Sequence, residues 1–214
     1  MAKKKALIVS GGYEPHQPQE VGALLSGVLL TEGFEVEQHT SWDVMDDKEK
    51  IDRLDLIIPN YTEGTITKNQ LDNFLHAVSS GTGVAGLHGG MGYAFPCEQR
   101  YQLMVGGVFA AHPNYHFTVR IMDRNHFITR NLPDFTLTTE HYFMLIDPSI
   151  CVLATSYYEC ISPEVWRPVM MPVVWIKNYG KGRVFYNAIG HTADIVKLPE
   201  VLTLMQRGML WAAR

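Results

Sequence analysis

The alternation of short apolar runs with helical segments constrains the fold more than any other feature of this chain. Residues 54–59 are apolar but for one aspartate, which is typical of a parallel strand covered on both faces. Residues 6–9, 34–38 and 84–87 predict three more strands, and residues 20–32 carry apolar side chains at helical spacing. This order of elements predicts an α/β fold with a doubly wound, mostly parallel sheet.

One more helix is predicted in the first half of the chain, and the pattern changes after Gly107. Thr67 and Gln70 have the spacing of a capping box, so a helix is predicted to begin there. After Gly107, residues 115–122, 151–157, 173–178 and 183–188 are predicted to form additional C-terminal strands. A hairpin-type turn is predicted to join the last two, and residues 199–213 are predicted to form a final helix. We expect one continuous domain over residues 1–214.

Composition excludes several classes of partner. The net charge of −4 and the pI of about 6.1 leave no basic surface for nucleic acid. No apolar stretch approaches the roughly 18–20 residues that a membrane span requires. Cys97, Cys151 and Cys160 form no CxxC pair, and so sparse a set is typical of a reducing compartment. We therefore expect a cytoplasmic protein.

His88 stands in the most informative motif. The segment Gly86-Leu87-His88-Gly89-Gly90 follows a predicted strand and has the strand–turn pattern of a nucleophile elbow. Such a turn would leave the imidazole half exposed at the carboxyl edge of the sheet, where ligands bind in folds of this kind. Imidazole serves as an acid, a base or a ligand. The alternative is a glycine-rich turn with an incidental histidine.

Glu140 and Tyr142 form a second candidate pair. If residues 139–142 lie on a strand, alternation points Glu140 and Tyr142 to one face and His141 to the other. Glu140 could act as a general acid or base or accept a hydrogen bond from a sugar hydroxyl. A solvated or salt-bridged carboxylate is the alternative.

Three further histidines lie near predicted strand ends. His191 comes directly after Gly190, beyond an apolar strand, and His16 lies in the loop after the first strand. His112 precedes Pro113 in a glycine-containing segment and could equally be a structural histidine.

Taken together, these segments resemble the ThuA-like (trehalose-utilisation) family. The most specific are Gly-Leu-His at residues 86–88, Gly-Gly-x-Phe-x-x-His-Pro at 106–113, and Gly-Lys-Gly-Arg-Val-Phe-Tyr-Asn-x-x-Gly-His at 180–191. The resemblance implies the class I glutamine-amidotransferase-like fold, with a flavodoxin-like sheet. It places His88 where amidotransferases have their catalytic cysteine and His191 where they have its base. Thr139 departs from the aspartate that the family often has.

Three functional hypotheses follow. In the first, His88, His191 and Glu140 catalyse acid–base chemistry on a sugar or keto-sugar, with His16, His112, Tyr142 and Gly89 binding this small carbohydrate-like ligand, and without glutaminase activity. In the second, His88, His191 and Glu140 hold a divalent metal such as Zn²⁺. In the third, the protein is a non-catalytic sugar-binding or regulatory protein. The sequence leaves open whether the chain forms a homo-oligomer.

Overall fold

The computed structural model describes residues 3–159 and 165–214. The first half contains β1 (Lys5–Gly12), α1 (Pro18–Thr31), β2 (Glu35–His39), α2 (Lys48–Ile51), β3 (Leu56–Thr62), α3 (Lys68–Ser80), β4 (Gly83–Leu87), α4 (His88–Gly92) and α5 (Gln99–Val105). The second half contains β5 (Gly107–Ile121), β6 (Phe135–Ile146), β7 (Cys151–Tyr158), β8 (Val169–Tyr179), β9 (Gly182–Asn187), α6 (Ala193–Val196) and α7 (Pro199–Ala212). Short 3₁₀ helices span Glu14–His16 and Trp42–Asp46.

The strands of the described residues form one mixed sheet in the order β2-β1-β3-β4-β9-β8-β7-β5-β6. Pairing is parallel from β2 to β9. It is antiparallel from β9 to β6. The prediction of an α/β fold with a largely parallel N-terminal half and additional C-terminal strands is therefore confirmed in outline. Strand β9 joins the halves, because it pairs with β4 on one side and with β8 on the other.

The parallel strands form the centre of the core. β4 is buried along its whole length, and β1 and β3 are buried over most of theirs. Helix α1 packs on β1, and α7 packs on β4 and β9. Helix α3 begins as predicted: the hydroxyl of Thr67 accepts a hydrogen bond from the Gln70 N–H, and the Gln70 side chain accepts one from the Thr67 N–H. Among the described residues, no helix is both long enough and apolar enough to cross a bilayer.

Several strands extend beyond their predicted bounds, among them β3, which ends at Thr62, and β8, which begins at Val169. Strand β1 continues beyond Val9 to Gly12 because its outer residues pair with the end of β3. Strand β5 begins at Gly107, well before residue 115, because its irregular first part pairs with β6 across three register shifts. Cys97 and Cys151 are free and exposed, and the third cysteine, Cys160, lies outside the described residues.

Candidate functional site

His88 is the first residue of α4, directly after β4, and its φ of 46° lies in the left-handed region. The predicted elbow is thus a sharp strand-to-helix turn. The expectation that it leaves the ring half exposed was wrong, since His88 is only 2% exposed. The ring is covered because Tyr142 stacks on it, with ring centroids 3.8 Å apart. Gly190 also approaches so closely that a Cβ there would lie 2.6 Å from the His88 Cβ.

Both ring nitrogens of His88 have partners. Nδ1 lies 3.0 Å from the carbonyl oxygen of Ala188, and Nε2 lies 3.1 Å from Oε2 of Glu140. A carbonyl oxygen only accepts, so Nδ1 carries the proton and donates it. In the neutral ring, the lone pair of Nε2 then points at the carboxylate. Burial lowers the pKa of His88. This effect is larger than the opposite effect of Glu140, whose charge and hydrogen bond to the protonated ring raise the pKa.

The carboxylate of Glu140 is surrounded by four imidazoles. Its Oε2 lies 3.1 Å from His88 Nε2, 3.3 Å from His191 Nδ1 and 3.9 Å from His16 Nε2. Its Oε1 lies 3.8 Å from His112 Nε2. Burial alone would raise the pKa of Glu140, but the hydrogen bond that a protonated His88 would donate and the charges of the neighbouring imidazoles outweigh it and lower this pKa to about 2. The carboxylate is therefore ionised at neutral pH.

His16 is held in place from two sides. Its Nδ1 lies 2.9 Å from the hydroxyl of Thr62, the last residue of β3, which leaves Nε2 facing Glu140. Gly89 makes room for the ring, because a Cβ there would lie 2.7 Å from the His16 Cε1 atom. Burial, helped by the charges of His88 and His191, lowers the pKa of His16 to about 3.

The structure also places the other predicted site residues. Tyr142 is buried against His88, and burial raises the pKa of its phenol. His112 is farther from the centre, with its ring stacked on Phe109. As predicted from strand alternation, His141 points away from Glu140 and Tyr142, and its ring stacks on Phe117 instead.

Backbone strain is concentrated at this cluster. Of the five non-glycine residues with positive φ in the described chain, four lie in it or next to it: Gln17, Glu63, His88 and His191. Each such conformation costs on the order of 1–3 kcal/mol and persists only where the surroundings impose it. Strain of this kind is typical of functional sites, so it marks the cluster independently of its side-chain chemistry.

Two hydrogen bonds that the sequence did not predict hold the loops of the site together. The Gln17 side chain accepts from the Ala193 N–H, joining the loop after β1 to the segment after His191. The hydroxyl of Thr139 donates to the carbonyl of Gly190 at 3.4 Å. Thr139 therefore supports the backbone next to His191.

A cavity of about 240 Å³ opens beside the cluster. Glu140, His16, His112 and Tyr142 contribute to its wall, and the remaining lining residues are Tyr13, Thr62, Glu63, Tyr93 and Phe109. Sequence reasoning missed these five, although Thr62 and Glu63 follow the apolar run of β3 and thus lie at the carboxyl edge of the parallel strands. His88 and His191 are not part of the wall, so they contact the cavity through Glu140 and His16.

Three larger hollows of the described residues lie away from the histidines. One, of about 430 Å³, is lined by residues such as Lys5, Glu35 and Arg53 around the amino ends of β1 and β2. Another, of about 470 Å³, lies around Leu103 and Leu145. The third, of about 310 Å³, lies around Trp42 and Gln70. In parallel sheets, ligands bind at the carboxyl ends of the strands. The smaller cavity lies at that edge and is also lined by His16, His112 and Glu140, so it is the better candidate.

Comparison with known families agrees with the motifs. The model of the ThuA family, described as trehalose utilisation, matches residues 5–212. The chain belongs to the ThuA family. No curated protein sequence matches it significantly.

Solved structures with the same fold include other ThuA-like proteins. One from Bacteroides uniformis is 22% identical, covers 99% of this chain and 93% of its own, and has a TM-score of 0.76. One from Parabacteroides merdae is 19% identical, covers 99% of this chain and 90% of its own, and has a TM-score of 0.77. A β-galactosidase from Rahnella sp. R3 is 14% identical, covers 99% of this ThuA-family chain and 31% of its own, and has a TM-score of 0.62. At these identities the likeness shows the fold alone.

Proposed function

We propose that this protein acts on a sugar or keto-sugar by proton transfer, with Glu140 and the surrounding imidazoles as its acid–base groups. The observation that carries the proposal is the position of Glu140: one ionised carboxylate in the wall of a small cavity, with four imidazoles within 3.9 Å of its oxygens. Membership in a family described as trehalose utilisation supports a carbohydrate as substrate.

The cavity has properties that suit a sugar. Its volume of about 240 Å³ corresponds to roughly eight water molecules, which is the scale of one monosaccharide ring. Tyr13, Tyr93 and Phe109 give it aromatic walls, and Thr62 and Glu63 add polar groups that bind hydroxyls. Apolar walls with a few convergent polar groups are the usual composition of a small-molecule site.

Glu140 is the group that can reach a reacting carbon. As a carboxylate it accepts a proton from a carbon next to a carbonyl, and it shares that proton with His88 Nε2 at 3.1 Å. His112, also in the cavity wall, places a second imidazole 3.8 Å from the other oxygen of Glu140, Oε1. His88 acts through Glu140 and is therefore a positioning residue, as is His191.

Solvent exchange tests this function without assuming the final product. Keto-sugars are incubated with the protein in D₂O, and NMR follows the loss of the proton next to the carbonyl. The wild type is expected to catalyse exchange, and Glu140→Gln is expected to slow it by about 10²–10⁴-fold. The matched control Glu49→Gln, on an exposed carboxylate, should leave the rate unchanged. Absence of exchange with every keto-sugar tested would contradict the proposal.

A second candidate is a protein that binds a sugar without converting it. The aromatic side chains of Tyr13, Tyr93 and Phe109 favour it, because they can bind a sugar face with no catalytic group involved. Saturation-transfer NMR separates the two functions: bound sugar without exchange supports this candidate and contradicts the first.

The strand order supports a finer fold assignment. The parallel strands run β2-β1-β3-β4-β9, which corresponds to the flavodoxin-like order 2-1-3-4-5. We infer that this half is the doubly wound, class I glutamine-amidotransferase-like unit, with His88 at the cysteine position of its elbow.

A further inference from the structure

We propose that His16, His88, His191 and Glu140 bind one divalent transition-metal ion of the zinc class. The ligand atoms of these four residues all lie within 4.8 Å of one another. In a tetrahedral site, bonds of about 2.0–2.2 Å place two ligands roughly 3.3–3.6 Å apart. Oε2 of Glu140 already lies 3.1 Å from His88 Nε2 and 3.3 Å from His191 Nδ1, and the widest pair would have to close by about 1 Å.

The rings of His88 and His16 are each fixed by an outer hydrogen bond. His88 donates its Nδ1 proton to the Ala188 carbonyl, and Nδ1 of His16 is bonded to Thr62. In both rings Nε2 is left facing Glu140. Metal-binding histidines characteristically use one ring nitrogen for such an outer hydrogen bond, which fixes the ring and directs the other nitrogen to the ion.

His191 supplies an independent observation. Its Nδ1 is buried and has no hydrogen-bond partner among the described residues, although it lies 3.3 Å from Oε2 of Glu140. Leaving a buried polar atom unsatisfied costs about 1–3 kcal/mol. Its backbone is also held in the left-handed region, at a φ of 83°, and its ring centroid lies 5.3 Å from that of His16. A cation between His191 and Glu140 would satisfy both groups.

The donor set limits the kind of ion. Three imidazoles and one carboxylate suit Zn²⁺ and neighbouring transition metals, whereas Mg²⁺ and Ca²⁺ prefer sites made of oxygen ligands. Glu140 and His16 also line the 240 Å³ cavity, so an ion on these residues would adjoin a bound ligand. Such an ion would polarise a carbonyl or hydroxyl oxygen there. With Oε2 of Glu140 on the ion, Oε1, which lies 3.8 Å from His112 Nε2, would be the oxygen left to accept a proton, in place of sharing with His88.

Metal binding is tested on the folded protein in the absence of sugar. The protein is stripped with a chelator and titrated with Co²⁺, whose visible absorption reports binding, and the Co²⁺ is then displaced with Zn²⁺. One equivalent is expected. His191→Ala and Glu140→Gln should each bind Co²⁺ far more weakly. Thr62→Val, which loses only the hydrogen bond to His16, should lower the affinity for Co²⁺ by about 10–100-fold. His76→Ala, an exposed histidine outside the cluster, should bind as the wild type does.

Two results would overturn the metal centre. One is a folded wild type, verified by circular dichroism, that takes up neither Co²⁺ nor Zn²⁺. The other is unchanged affinity in both His191→Ala and Glu140→Gln. The wild-type titration decides the question even if a variant fails to fold. Because no sugar is present, a negative result leaves the proposed proton-transfer function standing, and a failure of sugar turnover leaves the metal result standing.

Discussion

The rings of His88 and Tyr142 stack face to face, with centroids 3.8 Å apart and an angle of 23° between their planes. Tyr142 is 3% exposed and a backbone hydrogen bond joins it to Gly89. The phenol ring therefore separates the buried imidazole from the solvent and fixes its orientation toward Glu140.

Shortening Tyr142 should remove this cover. Tyr142→Ala is expected to destabilise the fold by about 3–5 kcal/mol, as truncation of a buried aromatic does. Tyr142→Phe keeps the stack and loses only the hydrogen bond, so its cost should be about 0.5–1.5 kcal/mol. Urea denaturation of both variants measures the difference. Equal stability of the two would mean that the stack contributes nothing.

Replacing His88 should reduce stability as well as function. His88→Ala leaves the Ala188 carbonyl and one Glu140 oxygen without the ring, at a cost of about 1–3 kcal/mol. For a chain of this size that lowers the melting temperature by roughly 2–4 °C per kcal/mol. Thermal unfolding of His88→Ala is compared with that of His76→Ala, which removes an exposed histidine. An unchanged melting temperature would mean that the ring is not packed as described.

A methyl group at residue 89 should disturb His16. The Cβ of Gly89→Ala would lie 2.7 Å from His16 Cε1 and 3.0 Å from the Thr62 hydroxyl, so the ring must move. We expect slower sugar turnover and weaker Co²⁺ binding. Gly27→Ala is the matched control: nothing lies within 4 Å of its Cβ, and in helix α1 it should stabilise the fold by up to about 1 kcal/mol. Wild-type activity in Gly89→Ala would contradict this packing.

His141 should make the fold sensitive to acid. Burial lowers its pKa from 6.5 to about 4, so the unfolded chain binds this proton more readily than the folded chain. Its stabilising effect is complete above pH 6.5 and is lost as the pH falls toward 4. At pH 5 the loss amounts to about 2 kcal/mol.

Urea denaturation at pH 7 and pH 5 checks this, and His141→Gln should lose less stability between the two values than the wild type does. His16, whose pKa is about 3, acts in the same direction in both proteins. An identical pH dependence of the two proteins would show that folding does not shift the pKa of His141.

How far the sequence predicts this site depends on the distance between its parts. The positions of His16, His88 and His191 follow from local patterns, since each comes after a parallel strand and those strand ends share one edge. Glu140 is different, because β6 lies five strands away from β4 in the sheet. At about 4.8 Å per strand, a flat sheet would separate them by roughly 24 Å. The antiparallel half must curve back over the edge to bring Glu140 to His88, and no local sequence pattern encodes that curvature.

The burial of His88 could not be predicted for a similar reason. The glycine-rich elbow indicates a sharp turn but not what covers it, and the cover is Tyr142 from the distant strand β6. Thr139 is a further case. Where the family often has an acid, this chain has a hydroxyl that bonds the Gly190 carbonyl, so its role is visible only once the two loops are together.

The central claim is that the cavity beside Glu140 binds a sugar whose reacting carbon the carboxylate contacts. A crystal structure of the protein with a bound keto-sugar tests it most directly. We predict that the sugar packs against Tyr93 and Phe109, with the carbon next to its carbonyl in contact with the Glu140 carboxylate and its carbonyl oxygen directed at His112. A sugar bound in another hollow while the Glu140 cavity stays empty, or one whose carbonyl end points away from Glu140, would contradict the claim.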